Sequence, residues 1–342
     1  MKDYLLPAEG QFYKANLHCH STNSDGALTP EELKEIYKSA GYSVLAYSDH
    51  NVLIDHSHMD EEDFLTLTSL EVDVNKKGDC SGALRPCYHI NFFPDDQHNV
   101  TLPCFNPKFV WGKRGDLRDA QAYVGSPDYE RDYENINDMI NTFAAHGFLA
   151  MINHPTWSLQ TMSDYQNLDT TNVFAMEMYN HSCYIAGWNE VNDHIYDELL
   201  RRGDHLFCTA CDDNHNQHPK NTARWDSLGG FVMIKAPELT HKAIYNALKA
   251  GHFYASSAPE IKELYVEDGY LCIKTSPAAR ITLTTKARQA RVAYPESPHL
   301  AITEAKFKLS EIYAGYARIT VTDEKGRSAW TQPLWGEFSG KR

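Results

Sequence analysis

The chain contains no apolar run near the roughly 18 residues that a membrane-crossing helix requires, so no span is expected. Met1 to Gly10 lack the basic flank and apolar stretch of a secretory signal. Of the eight cysteines only Cys208 and Cys211 stand at CxxC spacing, and they, like Cys19, lie inside apolar runs. That pattern reads as reduced, buried cysteine in a cytoplasmic protein, not as a disulfide framework. Basic residues are the minority, 32 Lys and Arg against 46 Asp and Glu, for a net charge of −14. An acidic surface repels phosphate backbones, which speaks against a nucleic-acid polymer as partner. Bound divalent cations would reverse the sign locally.

What is present, over 342 residues, is room for one large α/β domain and a smaller one. Strand and helix patterns alternate through the first two-thirds. Strands are expected at Phe12–His20, Ser43–Ser48, Thr66–Val72, Cys87–Phe93, Phe148–Asn153, Val173–Tyr179, His205–Cys211 and Gly230–Lys235. Helices are expected after the Thr29 cap, with Pro30 and Glu32 completing a capping box, from Ser126-Pro127 to His146, over Trp188–Arg202 and over Thr240–Ala250. Repeated βα units imply a parallel sheet, open or closed into a barrel. Residues 94–125, rich in Pro, Gly, Asp and Asn, read as a lid-like insertion. From Pro259 onward short alternating runs separated by turns (Lys262–Glu267, Tyr270–Thr275, Arg280–Thr285, Ala317–Thr322, Ala329–Leu334) predict a small antiparallel β-sandwich. The division is therefore 1–258 and 259–342.

The chemistry lies in where His, Asp and Glu fall. His18 and His20 flank Cys19 at the end of the first strand, where residues two apart share a face. Asp25 follows in a Ser/Asn/Asp/Gly turn. His50, Glu71, His89, His154, Asp213 and His215 each fall at or near the end of another strand. Strand ends of a parallel sheet meet on one rim, so nine metal-competent groups are delivered to one mouth. Imidazoles mixed with carboxylates suit Zn, Mn or Fe better than Mg or Ca, and nine exceed the needs of one ion. Two or three divalent metal ions are expected. A lone histidine on a strand is ordinarily a packing or surface residue. His56, His58, His98, His181, His194, His205, His218, His241, His252 and His299, which lack the strand-end placement, are read so. Glu177 faces the same rim and reads as a supporting group.

The segments Asn16-Leu17-His18-Cys19-His20-Ser21 with Asp25-Gly26, Ser48-Asp49-His50-Asn51, Ser69-Leu70-Glu71-Val72, Tyr88-His89-Ile90, Asn153-His154-Pro155 and Cys211-Asp212-Asp213-Asn214-His215 together resemble the PHP (polymerase and histidinol phosphatase) superfamily of metal-dependent hydrolases. The resemblance spans roughly residues 12–258. It implies a distorted (β/α)7 barrel, and the tail resembles the small β domain of some bacterial two-domain members. It also implies how ligands are shared: His18, His20 and Asp213 on one metal with Glu71 bridging, Glu71, His89 and His154 on a second, Asp25, His50 and His215 on a third. The last motif departs from the usual Ser-Asp-x-His, because Asp212 precedes Asp213. Spacing to His215 favours Asp213 as ligand and leaves Asp212 open.

The expected activity is hydrolysis of small-molecule phosphate esters, nucleotide- or sugar-phosphate-like, by a hydroxide bridging two metals. Glu71, Asp213 and His215 are the candidate catalytic residues, with His215 or Asp213 passing a proton to the leaving group. Lys113, Arg114, Arg118 and Arg224 are candidates for gripping the substrate phosphate. Three other readings keep the same residues: an amidohydrolase acting on a phosphate-free substrate, a polymerase-associated nuclease, and a non-catalytic metal or ligand sensor. The missing polymerase module and acidic balance disfavour the nuclease, and retention of all nine positions disfavours the sensor.

Overall fold

The computed structural model describes residues 2–78, 81–110, 114–313 and 315–336. In chain order the first part contains β1 (Asp3–Tyr4), β2 (Gln11–Asn16), α1 (Pro30–Ser39), β3 (Val44–Tyr47), β4 (Leu65–Thr68), β5 (Leu70–Asn75), β6 (Cys87–Pro94), α2 (Gly115–Ala120), α3 (Ile136–Ala145) and β7 (Phe148–Ile152). It continues with α4 (Met162–Gln166), β8 (Val173–Asn180), α5 (His181–Ile185), α6 (Asp193–Arg202), β9 (Phe207–Cys211), β10 (Phe231–Ala236), α7 (His241–Ala250) and β11 (Phe253–Ser256). The tail adds β12 (Ile261–Glu267), β13 (Tyr270–Ala278), β14 (Arg280–Thr285), β15 (Ala290–Ala293), β16 (Ile302–Lys308), β17 (Gly315–Thr322), β18 (Ser328–Trp330) and β19 (Leu334–Gly336).

Local signals act as written where caps are explicit. Thr29 accepts from the Glu32 amide, Glu32 returns a bond to the Thr29 amide, and Pro30 opens α1. Such a cap is worth about 1 kcal/mol. Two helices start later than expected. Residues 127–135 carry no apolar period, whereas Ile136, Met139, Ile140 and Phe143 form the buried stripe that α3 needs. Residues before Asp193 do not open α6, because Val191 bridges Tyr179 and the Asn192 amide bonds the Met178 carbonyl, so they run alongside β8.

The strands form three sheets, and their ladders do not close. β2, β3 and β4 pair in parallel, as do β7, β8 and β9. The all-parallel expectation fails in between, since β6 runs antiparallel to both β5 and β7. β10 is likewise antiparallel to β2. The chain breaks pairing at Ser69, so that β4 stays with β3 while β5 turns to β6. Between the two sheets only isolated bridges form, Cys19 with Asn214 and His50 with Glu71. Both bridges lie among the candidate ligands.

Leu264, Leu271, Ile273 and Phe307 pack with Ile281, Leu283, Ile319 and Val321 in a tail core of their own. The larger sheet nevertheless runs unbroken past residue 258, because β18 pairs with β11 and β11 with β10. Arg318 of β17, 2% exposed, also crosses to α6, donating from Nε and Nη2 to the two Asp197 carboxylate oxygens at 2.8 and 2.9 Å and from Nη2 to Asp193 at 2.8 Å. Tyr316 donates to the same Asp197. Among the described residues no helix is long and apolar enough to cross a membrane, and the seven described cysteines are all unpaired.

The tail contact makes a stability prediction. Arg318→Ala strands the Asp197 charge in the interior and is expected to cost about 3–5 kcal/mol in urea unfolding. Arg318→Met with Asp197→Leu, which removes both charges, should cost markedly less.

Candidate metal centre

Each expected ligand has a definable support. β2 ends at Asn16, and the chain continues extended to place His18 and His20 beyond it, held by the Asp213 amide on the His18 carbonyl and the His20 amide on the Asn214 carbonyl. The Asp25 turn then folds back tightly. A Cβ on Gly26 would sit 2.4 Å from the His20 carbonyl oxygen, so only glycine fits. His50 follows β3, Glu71 is the second residue of β5, His154 follows β7, and Asp213 and His215 follow β9. His89 corrects the strand-end rule. It is the third residue of β6, and because β6 is antiparallel its beginning reaches the rim that β7 reaches with its end. His154 and Asp213 both adopt left-handed backbone, with φ of 23° and 53°. Each such residue costs on the order of 1–3 kcal/mol. The His154 amide is anchored on Glu177 Oε2 at 2.8 Å and the Asp213 amide on the His18 carbonyl at 2.9 Å.

The geometry converges on Glu71, which is fully buried. Its Oε1 lies 3.4 Å from His18 Nε2, 3.1 Å from His89 Nδ1 and 3.3 Å from His154 Nε2. Its Oε2 lies 3.4 Å from His20 Nε2 and 3.3 Å from His50 Nδ1. Asp213 Oδ1 sits 3.1 Å from His18 Nε2 and 3.0 Å from His20 Nε2. Asp25 Oδ2 faces His215 Nε2 at 3.4 Å and His50 Nε2 at 3.8 Å. Four subsets bring ligand atoms within mutual reach of a single ion: His18, His20 and Asp213; His18, Glu71 and His154; His50, Glu71 and His89; His20, Asp25, His50 and His215. All nine expected ligands occur in these groups.

Hydrogen bonding alone does not account for the arrangement. The imidazole nitrogens of His18 and His20 meet at 3.1 Å, and Glu71 Oε2 is buried without a hydrogen bond. Asn153 Nδ2 already takes Glu71 Oε1 at 2.6 Å. A carboxylate offers about four lone-pair sites, so five imidazoles and an amide overfill it. Divalent cations between these atoms would accept the lone pairs and offset the carboxylates. The donor set is the nitrogen and oxygen mixture that Zn, Mn and Fe take.

Behind the ligands stands an orienting layer. Glu177 accepts from His18 Nδ1 at 2.8 Å and from Asn180 Nδ2 at 2.8 Å, besides the His154 amide. Asn180 also donates to Asp213 Oδ2 at 3.2 Å. Asp212 is not among the clustered ligand atoms. Its carboxylate takes the amides of Leu228, Gly229 and Gly230 and the Tyr37 hydroxyl, all within 2.8 Å. Asp226 holds the His215 amide at 2.8 Å.

A cavity of about 210 Å³ opens over the cluster, bordered by Asp25, His50, Glu71, His89, His154, Asp213 and His215, with Trp157 and Cys183 on its rim. Trp157, which no spacing rule in the sequence marks, sets its ring edge-on to His89 and His154, at 5.2 and 4.8 Å between centroids. The basic candidates are not gathered here. Arg114 reaches the Thr22 carbonyl and Asn23 Oδ1 beside the Asp25 turn but is paired with Asp116. Arg118 is bound to Asp119, Arg224 is exposed, and neither bonds any of the nine. Lys113 lies outside the described residues. The 94–125 segment carries α2 and is pinned to the rim through Asn51 Nδ2 on the Phe109 carbonyl at 2.9 Å.

In the metal-free state burial lowers the His18 pKa, but Asp213, Glu71 and Glu177 outweigh it and push it up to about 10. The same contest, burial against Asp213 and Glu71 for His20 and against Glu71 for His89, leaves both well above the usual histidine value. His50 goes the other way, brought down to about 3 by burial and by the neighbouring His20 and His89. Glu71 and Asp213 are held far below the usual carboxylate range, because the surrounding histidines overcome burial.

No family model matches the chain. Among curated proteins, a 5'-3' exoribonuclease of Haemophilus influenzae is 39% identical over 69 residues, covering 19% of this chain. The chain matches only 25% of that relative's length. Among solved structures, a two-domain protein from Bacteroides vulgatus containing a predicted PHP-like metal-dependent phosphoesterase is similar at 15% identity, over 97% of this chain and 98% of its own, with a TM-score of 0.44. A Bifidobacterium adolescentis protein described as a candidate metal-dependent phosphoesterase is similar over 64% of this chain and 91% of its own, at 14% identity and a TM-score of 0.36. An amidohydrolase from Chromobacterium violaceum is similar over 70% and 96%, at 18% identity and a TM-score of 0.39.

Two outcomes are expected. Raised pKa values mean that His18, His20 and His89 carry protons near neutral pH without metal, and a metal ion binds only the neutral imidazole. Loading stripped protein should therefore release protons, and affinity should fall as pH falls. Calorimetry of Zn or Mn binding in two buffers of different ionisation enthalpy measures this, and loading without proton release would contradict it. Glu177→Gln, which removes the charge orienting His18, should weaken metal binding about 10–100-fold, as read by competition with a chromogenic chelator.

Proposed function

We propose that the chain is a metal-dependent phosphoesterase acting on small-molecule phosphate esters, with residues 1–258 carrying the site and 259–342 a β appendage. The observation that carries the reading is the enclosure of one buried carboxylate, Glu71, by five imidazoles, with Asp25, Asp213 and His215 completing the set. We take β2, β3, the β4–β5 run and β6 to β9 as a distorted seven-stranded barrel joined at its seams by isolated bridges.

Charge selects the substrate class. Asp25, Glu71, Asp213 and the supporting Glu177 bring four negative charges when ionised, which two divalent ions offset. A third leaves a net positive site, suited to a dianionic phosphate monoester more than to a neutral amide. When bound, such ions supply Lewis acidity, which brings the pKa of water toward neutrality, furnishing the attacking hydroxide, and offsets charge on phosphoryl oxygens.

The chain's own residues do the rest. Glu71 and Asp213 fix the positions of the imidazoles and stay ionised. With the His20, Asp25, His50 and His215 group free of an ion, His215 rather than Asp213 is the proton donor to the leaving oxygen, since an Nε2 that binds a metal carries no proton. It is the more open of the two, with 27% of its side chain exposed against 8%, and it holds a proton more readily. Burial and His20 lower its pKa, but Asp25 and Asp213 raise it on balance. Its Nδ1 is fixed on the Asp213 carbonyl at 3.0 Å, leaving Nε2 toward Asp25 and the cavity. Trp157 limits water at the cavity rim.

The test is hydrolysis of a panel of phosphate mono- and diesters, a short oligoribonucleotide included, with Zn, Mn and Fe added back to stripped protein, read as phosphate release from monoesters and as monoester products from the rest. Monoesters should be turned over in a metal-dependent way, and His18→Ala/His20→Ala should fall to the uncatalysed background. Stoichiometric metal with no hydrolysis of any ester would exclude the phosphoesterase and direct the search to amides and lactones. Preference for the oligonucleotide would overturn the small-molecule assignment.

A further inference from the structure

A second pocket, of about 410 Å³, adjoins the metal cavity and shares His89 and Trp157 with it as a common wall. Its volume is in the range, roughly 300–1,000 Å³, of small-molecule sites. The lining is unusual for a surface exposed to water: Trp157, Leu159 and Trp188, at 39%, 36% and 38% exposure, all face it. Large apolar side chains left open together on a concave wall mark a ligand surface. Leu159 is held there in left-handed backbone, with φ of 56°. Polar groups share the lining. Arg85 spends Nη1 on the carbonyls of Lys76 and Gly78, while its buried Nε has no hydrogen bond, and Asn75 is exposed. None of these residues belongs to the metal set except His89.

We propose that this pocket seats the leaving group, and that the leaving group carries a flat heteroaromatic ring of nucleobase size. The assignment rests on the phosphoesterase reading for the bond that is cut. The metal cavity has room for the phosphoryl group and little more, so the rest of the ester must lie beyond the rim. His89 and Trp157 form that rim on the side where the second pocket begins. Indole faces bind flat rings by stacking, which is worth about tenfold to a hundredfold in affinity per ring. A ring edge bearing nitrogen and oxygen meets Arg85 and Asn75. A sugar or alkyl leaving group offers neither a π face nor such an edge.

The test separates the ring site from the chemistry. Metal-loaded full-length protein is titrated calorimetrically with adenosine, and with ribose as the ringless comparison. Adenosine should bind at least tenfold more tightly than ribose. Trp188→Ala should weaken adenosine at least tenfold, and Trp188→Phe should recover most of the loss. The ratio of kcat/KM for adenosine monophosphate to that for glycerol 3-phosphate should fall at least tenfold in Trp188→Ala, chiefly through KM. Adenosine binding no tighter than ribose, or Trp188→Ala binding like the parent, overturns the ring site even if phosphate is released. Trp188-dependent adenosine binding with no hydrolysis of any ester keeps the ring site and overturns the phosphoesterase reading instead.

Discussion

The site is organised by one buried carboxylate that has too many neighbours. Glu71 is enclosed by five imidazoles, and Asn153 already occupies one of its oxygens. Protonated imidazoles at His18 and His20 would turn N–H against N–H where their nitrogens meet at 3.1 Å, and if either is neutral there it gives up its donor toward Glu71. A cluster that is frustrated as a hydrogen-bond network becomes complementary once positive ions stand between its members. The polar groups are therefore arranged for an occupant rather than for each other, and folding carries their burial as a cost until that occupant arrives.

That demand explains irregularities in the fold. The chain gives up ladder pairing at Ser69, where β4 passes into β5, and pairs across the other seam only at Cys19 and Asn214. Continuous ladders would keep residues on fixed alternating faces. Isolated bridges leave the backbone free to aim Glu71 at one seam and His18, His20 and Asp213 at the other. The left-handed residues His154 and Asp213 serve the same purpose, and both are tied by amide bonds to the supporting framework, Glu177 and the His18 carbonyl. Strain is concentrated where side chains must converge.

The same reasoning tells which parts were legible in the sequence. The gathering of the nine His, Asp and Glu side chains was, because few positions combine such groups with a strand end. The Thr29 box was, because its bonds join residues three apart. Spacing favoured Asp213 over Asp212, and the structure brings Asp213 to His18 and His20 while the Asp212 carboxylate takes the amides of residues 228–230. The direction of β6 was not legible, since a run such as Cys87–Pro94 reads alike from either end, and its antiparallel pairing is decided by partners far along the chain. The starts of α3 and α6 were misplaced because Ser126-Pro127 and Trp188 look like openings, while burial of the Ile136 stripe and pairing of Val191 decide otherwise. The indoles of Trp157 and Trp188 carried no signal, because an aromatic has no spacing rule that separates a binding wall from a core.

Charge ties these levels together. A chain with net charge −14 is poorly suited to holding phosphate through its surface, and three of its arginines are already engaged by carboxylates. Arg114 is paired with Asp116, Arg118 with Asp119, and Arg131 is spent on Asp73 and Asn51 beneath a stacking contact with Phe109. Among the described residues no free cationic side chain stands over the cavity. On the phosphoesterase reading, attraction for an anionic substrate would have to come from ions held by the cluster, and it would vanish with them. Coupling anion binding to metal loading in this way needs no conformational switch. On the same reading, an acidic exterior that discourages long phosphate polymers, around a small centre that metals would make positive, would favour compact substrates by electrostatics alone.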